Sequence, residues 1–104
     1  MMGSRTPKPV ARALTTVGED VRTWRLLRRL TLEQVADRAG VSTATVRRLE
    51  HGEGASFENV LRIARALGVL DPVVRSFDPY ESDVGRLRSD EQLPQRIRRS
   101  RSEL

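Results

Sequence analysis

The chain has 104 residues, no cysteine and one histidine, and a formal net charge of +5. That length suits one domain rather than two. The missing cysteines exclude a disulfide framework, a thiol nucleophile and a Cys-based zinc site, and a single histidine with no phosphate loop and no paired-carboxylate motif argues against an enzyme, a metal site or a cofactor.

No run of about 18 apolar residues occurs, so no membrane span is expected, and residues 1–16 lack the apolar stretch of a signal peptide. A cytoplasmic protein is the expectation. Of the 19 basic residues 18 are arginine, Lys8 being the lone lysine. The planar guanidinium fork suits phosphate and guanine edges. A GC-rich genome produces the same bias, so composition alone does not decide.

Residues 1–16 carry Arg5, Lys8 and Arg12, two prolines and no acid, which reads as a flexible basic arm. Such an arm could lie along phosphates or enter a minor groove. Thr16 followed by Glu19 has the form of a capping box. Val17, Val21, Trp24 and Leu27 then keep helical spacing up to Leu30 and are expected to face the core. Thr31 and Gln34 form a second capping box, opening a helix through Leu32, Val35, Ala36 and Ala39. Gly40 stops it, taking the left-handed conformation at little cost.

Ser42 is a good N-cap for the next helix, with Val46 and Leu49 inward and Gly52 at its end. Ser56 opens a fourth helix, expected to turn Phe57, Val60, Ile63, Ala64 and Leu67 inward, with Gly68 as its stop. Asp71-Pro72 pairs a cap with a first-turn proline, predicting a short fifth helix through Val73, Val74 and Phe77. Residues 17–77 thus form an all-α, five-helix domain. Residues 78–104 balance six acids against six bases with few apolar groups. That C-terminal tail is expected to be ordered only in part. Its sparse apolar series is Tyr80, Val84, Leu87, Leu93 and Ile97.

Residues 31–52 carry the most information. A short helix ends at Gly40, and only Val41 and Ser42 separate it from the next. Such a turn makes two helices cross steeply, the helix-turn-helix geometry, and the B-DNA major groove admits one helix.

The sequence here resembles the Cro/C1 (XRE) family of helix-turn-helix regulators, over about residues 17–70. The matching residues are Thr31-Leu32-Glu33-Gln34-Val35-Ala36, Ala39-Gly40-Val41-Ser42, Val46, Arg48-Leu49-Glu50, Gly52 and the stretch from Ile63 to Val69. The resemblance implies a lambda-repressor-like fold that binds double-stranded DNA as a homodimer. It places Thr43, Ala44, Thr45, Arg47 and Arg48 at base-reading positions. It places Thr31, the backbone of Leu32, Ser42 and His51 at phosphates. Arg25 and Glu50 fall where the family has an internal salt bridge. Leu32 departs from the family, which usually has a glutamine there to clamp a phosphate. Trp24 also departs, and reads as core.

These features together imply a transcriptional regulator acting on a palindromic operator and associated with the nucleoid. Val73, Val74 and Phe77 are the sequence's candidates for a dimer surface. The tail resembles, more loosely, that of HipB-like antitoxins, which implies as an alternative a toxin partner of the HipA kinase type.

Overall fold

The computed structural model describes residues 5–92. Leu93, Ile97 and the basic run 96–101 lie outside the described residues, as do residues 1–4. The chain divides into two units, one through Leu70 and one from Asp71.

The first unit holds four α-helices: α1 Lys8–Leu27, α2 Leu32–Ala39, α3 Thr43–Glu50 and α4 Phe57–Leu67. Leu30, Val35, Ala36, Ala39, Val46, Leu49, Ile63 and Leu67 form its core. Leu49, Ile63, Leu67, Val35 and Val46 are buried almost completely. Fully burying side chains of this size contributes roughly 1.5–3 kcal/mol each. Leu32 packs against the same cluster, which accounts for an apolar residue at that position.

The caps are local and satisfied. The Thr31 hydroxyl accepts the Gln34 N–H at 3.0 Å, and Gln34 Oε1 accepts the Thr31 N–H at 2.9 Å. Ser42 and Ser56 accept the N–H groups of Thr45 and Asn59, each at 3.1 Å. Gly40 takes φ 72°, and the Val41 N–H closes onto the Ala36 carbonyl at 3.0 Å. That closure makes the two-residue turn to α3.

Helix α1 differs from the sequence expectation in three ways. It begins at Lys8, so residues 8–16 are helical rather than arm, and Thr16 lies inside the helix instead of capping it. Pro7 is the N-cap and Pro9 sits in the first turn, where a missing N–H costs nothing. It also turns a different side inward. Gly18 is buried, Leu14, Val21 and Arg25 are half-buried, and Val17, Trp24 and Leu27 are exposed. Trp24, expected in the core, is 39% exposed, with the Arg28 guanidinium 5.3 Å from its ring centroid. Lastly, α1 ends at Leu27, short of Leu30, and without a glycine. Arg29 takes φ 58°, and the Leu30 and Arg29 N–H groups bond the Arg25 and Leu26 carbonyls, each at 3.0 Å.

Phe57, expected inward, is 58% exposed because it opens α4 at the edge of the core.

Helix α5, Leu70–Ser76, begins on the last residue of the first unit, and the second unit holds the rest of it, a 3-10 turn Pro79–Glu81 and α6 Asp83–Gln92. Helix α5 starts before Asp71, which is therefore inside the helix rather than its cap, and Phe77 falls just past its end. The Asp78 carboxylate instead caps the 3-10 turn, accepting the Tyr80 N–H at 2.9 Å. Val84 and Leu87 lie on α6 and are exposed. The described residues are thus all-α, with six α-helices and no strand, one helix more than the five expected. Among them, no helix is long and apolar enough to cross a membrane.

Candidate nucleic-acid interface

Helix α3 is held by its buried side, through Val46, Leu49 and Glu50. Its other side carries the residues expected to read DNA. Arg47 and Arg48 are exposed, while Thr43, Ala44 and Thr45 are half-buried in the first turn. Among the described residues, neither Arg47 nor Arg48 has a side-chain hydrogen bond or ion pair. The Thr45 hydroxyl is turned back onto Ser42, 2.9 Å from its Oγ. Ser42 spends its own oxygen on the cap. These two hydroxyls therefore define the start of the helix as much as its surface.

Thr31 and Leu32 stand at the open end of α2. The first-turn N–H groups of a helix have no intrahelical partners, and the dipole there favours an anion. Gln34 already takes the Thr31 N–H, so the Leu32 and Glu33 N–H groups are the outward ones. Exposed His51 ends α3, its N–H bonded to the Arg47 carbonyl at 3.0 Å.

Arg25 and Glu50 come together across 25 residues of sequence. Arg25 Nε donates to Glu50 Oε2 at 2.7 Å and Nη2 to Oε1 at 3.1 Å. The side chains are 12% and 4% exposed. The fork geometry makes this a strong, directional contact. A third bond, Arg25 Nη1 to the Leu30 carbonyl at 3.2 Å, ties in the end of α1. The hydrogen bond to Glu50 holds the guanidinium above its ordinary range, against the opposing effect of burial. A raised arginine pKa stabilises at every pH below the ordinary value and is lost only in strong alkali.

Three positioning residues were not legible as such. Gly18 lies against the end of α3, so close that an added Cβ would meet the Leu49 and Glu50 carbonyls. A glycine inside a helical pattern is the one sequence signal for such a contact. Arg28 Nε donates to the Leu67 carbonyl at 3.0 Å, and Arg62 Nη1 to the Ala39 carbonyl at 3.4 Å. Each is a cation satisfying the end of another helix. Arginines of this kind look identical in sequence to those facing solvent.

Two short helices crossing at a glycine turn, with one presenting unpaired guanidinium groups, define a DNA-binding helix-turn-helix. Residues 21–72, half of the chain, match the family described as Helix-turn-helix, and the chain belongs to that family, the Cro/C1 (XRE) type of DNA-binding regulators. No curated protein and no solved structure matches the chain.

Proposed function

We propose that the protein is a sequence-specific transcriptional regulator that sets α3 into the major groove and acts as a dimer on a palindromic operator. The observation that carries this reading is the outward face of α3, where Arg47 and Arg48 are exposed and uncommitted while its one acid, Glu50, is buried and paired. Arg47 is assigned to a guanine edge, worth roughly 1–3 kcal/mol of discrimination. Ala44 and the Thr43 methyl are assigned to a thymine methyl. Arg48 reads a base or holds a phosphate. The backbone at Leu32, with Thr31, Ser42 and His51, positions phosphates. Two-fold symmetry would set half-sites about one helical turn apart.

Binding to the chain's own promoter tests this. Arg47→Ala should weaken operator binding and relax one operator position, with little effect on random DNA. Equal loss on both would refute base reading. Affinity should fall with salt, with a log–log slope of about −0.9 per phosphate neutralised.

A second reading, an antitoxin using the same helix, is favoured by the second unit. It lies outside the helix-turn-helix unit and exposes Val84 at 64% and Leu87 at 74%, a surface suited to a protein partner. Co-purification with the product of the neighbouring reading frame, lost on truncation after Leu70, would support it.

A further inference from the structure

Helix α1 carries a repeat that the core does not use. Val10, Ala13, Val17, Asp20, Trp24 and Leu27 follow one another at alternating steps of three and four residues. That is the spacing of the seam along which two helices pair. All six are exposed, Leu27 at 67%, Val10 at 49% and Val17 at 42%. The side facing the core is a separate strip through Leu14, Gly18, Val21 and Arg25. A surface helix of a globular protein needs one apolar strip, and α1 has two.

We propose that the outer strip is where the protein pairs with a second copy of itself, antiparallel about a two-fold axis. This names the dimer face for the reading above and rests on it. In antiparallel register, Val10 faces Leu27 of the partner subunit, Ala13 faces Trp24 of the partner subunit, and Val17 faces Asp20 of the partner subunit. The smallest side chain is set against the bulkiest, and every contact is reciprocal, as a two-fold axis requires. Twenty residues give a seam of about 30 Å. Two such seams bury on the order of 1,000 Å², the lower bound for a specific interface. The result is a reversible dimer that a palindromic site completes. Nucleic acid is the wrong occupant, because the six residues of the strip are apolar but for one carboxylate, and the guanidinium beside the strip, that of Arg28, is spent on the Trp24 ring and the Leu67 carbonyl.

Asp20 is the flaw in the seam, since its carboxylate lies near the axis beside its symmetry mate. It therefore supplies a test of opposite signs. Self-association of the full chain is measured by sedimentation equilibrium, together with the emission of Trp24, the single tryptophan. Val17→Glu adds charge to a desolvated seam and should weaken the dimer by on the order of 100-fold. Asp20→Leu should tighten it about tenfold or more. Both positions are exposed, and circular dichroism checks that each variant folds. Trp24 emission should move to the blue as the wild-type concentration rises. If the dimer ignores both substitutions, its interface is elsewhere and the proposal fails alone. If the wild type is monomeric at all concentrations and on operator DNA, the dimer reading fails with it. A monomer whose Trp24 is already shielded would mean that the chain covers its own strip, which also overturns the proposal. Should Val17→Glu not fold, absence of a gain for Asp20→Leu is decisive against it.

Discussion

Replacing Gly18 with alanine sets two effects of opposite sign against each other. Alanine in place of glycine inside a helix adds about 1 kcal/mol of stability through propensity alone. At Gly18, however, the new methyl would meet the Leu49 carbonyl oxygen and would lie 2.7 Å and 2.9 Å from the Glu50 carbonyl oxygen and carbon. All three atoms are backbone, so no rotamer change gives relief, and the end of α3 must retreat from α1. Overpacking of a core costs typically about 1–3 kcal/mol. The upper end applies where neither side can yield, leaving a net loss of about 2 kcal/mol after the propensity gain. For a domain of this size that lowers Tm by roughly 8–16 °C. The same retreat would stretch the Arg25–Glu50 bonds. Thermal and urea unfolding followed by far-UV circular dichroism measure the effect, with Ala11→Gly on the exposed side of α1 reporting propensity alone. A Gly18→Ala protein more stable than wild type would refute the close approach of the two helices.

Other outcomes are expected at four more positions. Arg25→Ala leaves Glu50 buried without its partner and should cost about 3–5 kcal/mol in urea unfolding. A loss below about 1 kcal/mol would mean that the pair is effectively solvated. The double replacement Arg25→Met with Glu50→Leu should recover most of that stability. Arg29→Gly removes the penalty of a side chain in the left-handed region and should raise stability by about 1 kcal/mol, read as a higher urea midpoint. Ser42→Ala removes the N-cap of α3 and should cost about 1 kcal/mol in the same assay.

The parts of the fold that were legible in the sequence are those decided within a few residues. Thr31 with Gln34, Ser42 and Ser56 as caps, and Gly40 and Gly68 as stops, all act on groups three to five positions away. Residue type and spacing are enough to find them. The register of α1 was not legible, because the helix carries two apolar strips. The strip with Val17, Trp24 and Leu27 is richer in apolar groups, yet the one with Gly18 and Arg25 faces inward. Close backbone contact with α3 and the ion pair to Glu50 decide that choice, and neither is visible in periodicity. The start of α1 was hidden by prolines that read as breakers but sit harmlessly in a first turn. Its end was hidden because an arginine occupies the position where the other helices of the unit have glycine. For the interface, the sequence and its resemblance named the residues on the outward face of α3. They did not say that Thr45 would bond Ser42, or which of the many arginines would be spent on helix ends.

Glu50 has a consequence for the speed of binding as well as for the fold. It is the only acid in α3, and burial against Arg25 cancels its charge internally. Of the charged side chains of α3 itself, only the two guanidinium groups then face solvent. A cationic surface of that kind steers diffusional encounter and raises association rates at low ionic strength. The same contact that fixes α3 to α1 thus removes from the helix's outer face the one opposing charge that α3 carries.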